Sequence, residues 1–418
     1  MGQLHKKFSD EQVKDLLARY LERKVKRVYI QEILGIKRRR FCQLVDKYRK
    51  NPAGFSIRYT RQHQTRGLDD AIETNILKEL RLEKSLILNR KIPIRRYNYS
   101  YIKDQLEKEH KQKVALSTII SRAKAAGFYL KRGKRKAHDR EVLTDYTGQL
   151  VQHDSSHHLW APAAAEKWYL ITSLDDYSRM ILYADLLKQE TSWAHIISLQ
   201  SVFLKYGLPY SYYVDCHSIF RFVQGRDSLW REHKFLTDET TPQWKRVLDD
   251  CGVKVTYALS PQAKGKIERP YQWLQDRIVR TCVRNNIADI RQARIILGQE
   301  VQRYNYRQVH STTQEVPFFR FQRALKEKIS LFREFAVKQP YRSVKDIFSL
   351  RTERIVDPYR RISLKNLVLK LNHVSPGNTV EIRVYHLENG MSELRFWNGD
   401  CLADVKLVKT TDLGGVQF

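Results

Sequence analysis

The chain has 418 residues, 42% of them hydrophobic and 11% aromatic, which suits two to four packed domains and excludes a disordered chain. Its 76 Lys and Arg outweigh 46 Asp and Glu, a formal charge of +30, and residues 1–140 alone hold 37 basic against 15 acidic side chains. No run of about 18 apolar residues is present to span a membrane, and the scattered cysteines Cys42, Cys216, Cys251, Cys282 and Cys401 form no CxxC, which fits reduced thiols better than a zinc cage or disulfide framework.

The start, MGQLHKKFSD, lacks an apolar signal region, so a cytosolic protein without a membrane partner is expected. A basic N-terminal arm on a more balanced body reads as a grip on a polyanion, nucleic acid first; the bland alternative is a merely soluble or membrane-surface basic protein.

Residues 8–50 read as three short helices. Ser9 caps the first, and Val13, Leu16, Leu17 and Leu21 give it an apolar stripe. The stretch VYIQEILGIKRRRFCQLVDKYRKNP splits at Gly35 into a helix-turn-helix pattern, with Arg38, Arg39 and Arg40 opening its second helix, where a recognition helix meets DNA. A helical hairpin with a solvated basic face is the competing reading.

Residues 67–130 repeat the idea with three more helices. Ser117 and Thr118 are expected to cap the last, Gly127 to end it, and Arg122 to lie on it as a DNA contact. The run RGKRKAHDR then reads as an extended linker, with Lys131, Arg132, Lys134 and Arg135 near phosphates.

After residue 141 the period changes. QLVQHD alternates as a strand ending at Asp154, with the polar SSHH as a turn beyond it. KWYLITSLDD and RMILYADLL form two more strands around a DDYS turn, so Asp175 and Asp176 are assigned to the turn. A helix capped by Thr191 and stopped by Gly207 follows, then the strand YSYYVD, a helix, the strand VKVTYAL, and a long helix within KIERPYQWLQDRIVRTCVRNN. Pro270 demands that this last helix begin near Lys266, with Glu268 in its first turn.

The fold class expected is multidomain: all-α helix-turn-helix modules at 1–60 and 67–130 (the second winged-helix-like), a basic linker at 131–145, an α/β mixed-sheet domain at 146–286, a helical connector at 287–340 and a small β-barrel at 341–418.

Three carboxylates stand at telling places: Asp154 on the first strand, Asp215 ending YYVD, and Glu268 near the start of the long helix. If the two strands are neighbours, three oxygen ligands converge, a set that suits Mg²⁺ or Mn²⁺. Two such ions would clamp the attacking and leaving oxygens of a phosphoryl transfer. Among 46 acidic residues that pattern alone is weak. Zinc is disfavoured for His157, His158 and His217, which lack ligands at zinc spacing; they are assigned to a turn or to DNA.

The words SPQAKGKIERPYQWLQDR, VDCHSIFR and YNYRQVHSTTQEVP, with LVQHDSSHHLW and LITSLDDYSRMIL, resemble the integrase-core transposases of bacterial insertion sequences. These are DDE enzymes of the retroviral-integrase superfamily, and the resemblance spans roughly residues 140–345. It implies a ribonuclease-H-like core with Asp154, Asp215 and Glu268 as metal-binding catalytic residues, and two Mg²⁺ ions for which Mn²⁺ substitutes. It implies hydrolysis at transposon ends, freeing a 3′-OH that then attacks target DNA. Lys264, Lys266 and Arg269 would hold phosphates, while Asn305 and His310 would be structural or DNA-contacting. A dimer or tetramer on double-stranded DNA, in the bacterial nucleoid, is implied too. The 52 residues between Asp215 and Glu268 exceed what many family members carry. The competing functions are a DNA-binding protein repurposed from such an enzyme and a ribonuclease-H-like nuclease without strand transfer.

Overall fold

The computed structural model describes residues 4–58, 67–131, 144–215, 219–220, 242–258, 265–365, 367–414 and 416, with only the backbone for 265–269. They fall into two compact units, Met1–Glu73 and Thr74–Phe418.

The first unit contains helices α1 (Asp10–Leu21), α2 (Arg27–Leu34) and α3 (Arg38–Lys50). Ser9 and Gln12 form a reciprocal capping box: the Ser9 hydroxyl accepts from the Gln12 N–H, and the Gln12 side chain accepts from the Ser9 N–H. Gly35 ends α2 at φ 60°, the left-handed conformation glycine adopts freely. Val13, Leu17, Ile30, Leu34, Phe41, Leu44 and Val45 bury one face of each helix, and Phe55 and Ile57 close the cluster. Arg38, Arg39 and Arg40 are left exposed on the first turn of α3.

In the second unit, α4 (Asp70–Leu88, mostly within it), α5 (Tyr99–His110) and α6 (Leu116–Ala125) come first. The cap of α6 is Ala115, without a side-chain bond. Ser117 and Thr118 therefore do not cap it as expected; they lie in its first turn, because the helix starts two residues earlier than a Ser117 cap would set it and three earlier than a Thr118 cap. Gly127, at φ 74°, follows the end of α6.

The central sheet holds β1 (Val151–His158), β2 (Trp168–Asp175), β3 (Ile181–Leu187), β4 (Ser211–Val214) and β5 (Lys254–Tyr257) in the order β3-β2-β1-β4-β5. β1, β2 and β3 are antiparallel; β4 runs parallel to β1 and β5 to β4. Helix α7 (Ser192–Tyr206) crosses from β3 to β4, and α8 (Gln243–Asp250) precedes β5. Thr191 caps α7 through its hydroxyl. β1 does not end at Asp154. It runs on through SSHH to His158, paired throughout with the apolar β2, so the expected polar turn is strand.

Helices α9 (Gly265–Arg284), α10 (Ile290–Arg307) and α11 (Pro317–Lys326) follow, then α12 (Val344–Ile347). The C-terminal strands β6 (Leu350–Ile355), β9 (Thr379–His386), β10 (Met391–Asn398) and β11 (Cys401–Lys409) form an antiparallel sheet in the order β11-β10-β9-β6. β7 (Arg361–Leu364) and β8 (Leu367–Lys370) make a separate hairpin from what reads in sequence as one strand. Among the described residues no ladder closes these strands into a barrel. They also share one core with the central domain: Val202, Phe203 and Trp244 lie in the same buried cluster as Phe348, Val380 and Phe396.

The chain from 329 to 333 runs along the foot of the central sheet. Near the foot of β1 the Thr147 N–H donates to the Ile329 carbonyl and the Thr147 carbonyl accepts from the Leu331 N–H, and before β4 Leu208 and Arg333 exchange both backbone bonds. Two glycines make room. A Cβ on Gly148 would meet the Phe332 ring at 2.6 Å, and one on Gly207 would meet the Arg333 carbonyl at 2.3 Å. Gly207 also has φ 93° and ψ −175°, a region essentially closed to other residues. Gly207→Ala is therefore expected to destabilise the second unit by roughly 2 kcal/mol or more, measured as a lower urea midpoint, whereas Gly252→Ala, with open space around it, costs less.

Candidate active site

Strands β1 and β4 place the two aspartates. Val151 pairs with Tyr212 and Gln152 with Tyr213, so continuing the parallel register sets Asp154 level with Asp215. Adjacent strands lie about 4.8 Å apart, close enough for two carboxylates to meet on one cation. Both are half-buried, Asp154 in mid-strand and Asp215 directly after β4.

Helix α9 is docked across this point. The Tyr271 phenol accepts a 2.8 Å hydrogen bond from Thr172, and Thr172 is the cross-strand partner of Asp154. One turn on, Gln275 donates to the Ser156 hydroxyl at 3.2 Å. Burial pushes the Tyr271 hydroxyl well above its ordinary range, and the negative charges of Asp154, Glu190 and Asp215 push it further. Glu268 is in the first turn of α9, as expected, on the helical face that positions 271 and 275 share. Its side chain lies outside the described residues, as do those of Lys266 and Arg269. Lys264, Arg132, Lys134, Arg135 and His217 also fall outside them, as does most of the stretch between Asp215 and α8. Helix α9 begins at Gly265, so Pro270 stands just past the first turn and offers no N–H to the Lys266 carbonyl.

The donor set fits hard cations. Two half-buried carboxylates at one level and a third on the docked helix are oxygen ligands of the kind Mg²⁺ and Mn²⁺ take. Another acidic group, Glu79, Glu109 and His110, also has its ligand atoms within 4.8 Å of one another. It stands on α4 and α5 rather than the sheet, and Arg284 already bonds both carboxylates, at 2.6 and 3.0 Å. That group is an ion-pair node.

The other histidines and aspartates have structural places. His157 stacks on Tyr169, ring centroids 4.2 Å apart. His158 lies edge-on to Trp160, and burial, with the nearby charges of Lys167 and His157, lowers its pKa. Asp175 is buried and accepts from the Thr147 hydroxyl and from the N–H groups of Gly148 and Ser178; Asp176 pairs with Arg179. Asp175 is the last residue of β2, where turn was expected, because its backbone pairs with Val151 of β1; Asp176 opens the β2–β3 turn. Asn305 clamps the edge strand β3: its carbonyl accepts from the Ile181 N–H at 3.0 Å and its amide donates to the Ile181 carbonyl at 2.9 Å. Of the expected DNA contacts, Ser117 and Lys131 are exposed, while Thr118 and Arg122 are half-buried.

Sequence reasoning missed Tyr271 and a buried chain behind β1. His153 bonds Ser173 at 2.9 Å and His195 at 2.8 Å, His195 bonds Glu190 at 3.0 Å, and Ser155 donates to the same Glu190. The alternation of β1 is the one signal for it, since 153 and 155 must face away from 154 and 156.

No family model matches the chain. It is 28% identical over 233 residues to the transposase for insertion sequence IS1202 of Streptococcus pneumoniae, covering 56% of this chain and 44% of that protein. It is 27% identical over 181 residues to y4bF of Sinorhizobium fredii, a protein named as a transposase, covering 43% and 38%. The match thus spans less than half the length of these curated relatives. Solved structures include the human T-cell lymphotropic virus 2 integrase catalytic core domain with magnesium (14% identity, TM-score 0.31, covering 42% of this chain and 96% of that one). The simian T-cell lymphotropic virus intasome with a PP2A B56γ subunit is another (14% identity, TM-score 0.34, covering 73% and 95%). Both curated relatives are named as transposases, and this chain is similar to them at 27–28% identity.

Replacing Tyr271 by Phe leaves the buried Thr172 hydroxyl without its acceptor. A loss of about 1–3 kcal/mol is expected in denaturant titration, with the α-helical circular dichroism signal unchanged at zero denaturant.

Proposed function

We propose that the protein is a DDE transposase: it binds the terminal inverted repeats of a mobile element, cleaves there to free 3′-OH groups and joins them to target DNA. The observation that carries this reading is the parallel pairing of β1 with β4, whose register, continued, sets Asp154 level with Asp215 just past the end of β4, with the helix bearing Glu268 docked beside β1. Asp154, Asp215 and Glu268 would hold two Mg²⁺ ions, or Mn²⁺. When bound, such ions supply Lewis-acid stabilisation to the oxygens of an in-line phosphoryl transfer.

The chain's own part is positioning. The acidic corner fixes where the scissile phosphate sits, while Lys264, Lys266 and Arg269 would neutralise neighbouring phosphates. In cleavage, the oxygen of water bonds to phosphorus, the bond to the 3′ oxygen breaks, and that oxygen leaves as a hydroxyl. In joining, this 3′ oxygen bonds to a target phosphorus and the target's own P–O3′ bond breaks. No protein nucleophile takes part.

Helices α2 and α3 would read DNA as a helix-turn-helix, led by the exposed Arg38, Arg39 and Arg40. Helices α4–α6, through Ser117, Thr118, Arg122 and Lys131, would form a second contact, with Arg132, Lys134 and Arg135 following the backbone. The divisions at 1–60, 67–130, 131–145, 146–286, 287–340 and 341–418 stand as functional segments in this reading. A dimer or tetramer would bridge two ends in the bacterial nucleoid. Among the described residues, no helix is long and apolar enough to cross a membrane.

Labelled end DNA with Mg²⁺ tests the reading. Wild type should cut and join it; Asp154→Asn, Asp215→Asn and Glu268→Gln should each lower both steps by about a thousandfold or more, with end binding kept. Normal activity in these variants would sink the triad. Binding without cleavage in wild type would mean a repurposed DNA-binding protein, and cleavage without joining a nuclease. Replacing Arg38, Arg39 and Arg40 by Ala should lower the salt dependence of end binding by a slope of about one per lost phosphate contact; an unchanged slope would turn α3 away from DNA.

A further inference from the structure

Helix α9 has a second buried face, opposite the one that meets β1. Arg277, Arg280 and Arg284 recur along it at helical spacing. Arg280 donates to both Glu83 carboxylate oxygens, at 2.9 and 3.0 Å, and also to the Arg96 carbonyl and to Asp276. Arg284 pairs with Glu79 and Glu109. Arg277 bridges Asp104 and Glu300 and lies over the Tyr101 and Trp273 rings. Asp104 takes a further arginine, Arg303 from α10, at 2.6 Å. The Tyr101 and Thr281 hydroxyls share a 2.9 Å hydrogen bond, and Leu86, Ile92 and Ile94 pack on Val279.

The partners Glu79, Glu83, Asp104 and Glu109 all belong to α4 and α5. Arg280, Glu83 and Glu79 are essentially sealed from solvent. A solvated face needs no such set of matched buried charges, and a flexibly tethered DNA-binding module would not have them. One continuous helix therefore meets the acidic corner through Tyr271 and Gln275 and the α4–α6 module through its arginines.

We propose that α9 is a ruler: it holds the α4–α6 module at a fixed distance from Asp154 and Asp215, and so sets which phosphate of the bound DNA is cut. This rests on the reading above that the module holds DNA and the acidic corner cuts it. From position 268 to Arg280 the helix rises about 18 Å, the length of roughly five base-pair steps. A phosphate that many steps from the module's grip is brought to the carboxylates by geometry rather than by its own sequence.

The test uses the full chain with Glu79→Gln and Glu83→Gln combined, read in two ways. In hydrogen exchange, α4–α6 should exchange at least tenfold faster while β1–β3 keep their protection. Unchanged protection of α4–α6 would overturn the proposal, and so would equal loss in β1–β3, which would make the pairs a matter of global stability. On labelled end DNA with Mg²⁺, wild type should cut at one phosphate, and the variant should spread its cuts over several neighbouring phosphates while its end affinity changes less than about threefold. A single unshifted cut at the wild-type rate would overturn the ruler. Wild type that does not cut end DNA would count against the transposase reading and would overturn the ruler's cleavage role with it, while the exchange measurement still decides whether the arginines fasten the module. If the double variant does not fold, Asp104→Asn, whose carboxylate is partly exposed, carries both readouts at an expected amplitude of about threefold, with the same outcomes overturning the proposal.

Discussion

The alternation of β1 is the constraint on which the rest of the site depends. It lies at the centre of its sheet, with β2 on one side and β4 on the other. Period two sends Asp154 and Ser156 to the face where α9 lies, and His153 and Ser155 to the face closed by α7 and α8. On the far face, the histidine pair and Glu190 fill what would otherwise be a row of buried, unpaired polar groups; each such group costs about 1–3 kcal/mol if left alone. The near face is thereby free to carry carboxylates. A shift of one residue in register would exchange the two sets and abolish both arrangements.

Much of this plan was legible in the sequence because it depends on local signals. Ser9 announces α1, Thr191 and Gly207 bound α7, and the apolar runs of β2, β3 and β4 stand clear of their neighbours. The length of β1 was not legible: SSHH reads as a turn, and only pairing with β2 and the partners Glu190 and Gln275 keep it extended. The C-terminal strands were visible, but their sharing of a core with α7 and α8 was not, since that depends on contacts between residues far apart in sequence. The aspartates could be picked out by their surroundings; Tyr271 could not, because a tyrosine on an amphipathic helix is ordinarily core.

Positive charge is divided between the surface and the interior. The excess of basic residues suggests a surface built for polyanions, yet several arginines are interior. Arg277 and Arg280 are buried with carboxylates, and in the C-terminal sheet Arg351 pairs with Asp250 and Arg395 with Asp346. Their planar, always-charged heads suit such fixed sites better than lysine would. Removing one member of a buried pair costs about 3–5 kcal/mol because the other is stranded. Each of these arginines takes at least one carboxylate with it, so the pairs leave the formal excess of +30 to the rest of the chain, the exposed trio on α3 included.

Asn305 has a consequence for how copies of the chain meet. An edge strand normally shows unpaired N–H and C=O groups to any passing strand. At Ile181 the Asn305 amide occupies both, imitating a neighbouring backbone from a helix. A second molecule cannot extend the sheet at that residue without first prising away α10. Further along the same edge Arg294, also from α10, donates to the Leu186 carbonyl at 2.8 Å, so two side chains of one helix guard this border against sheet-to-sheet growth.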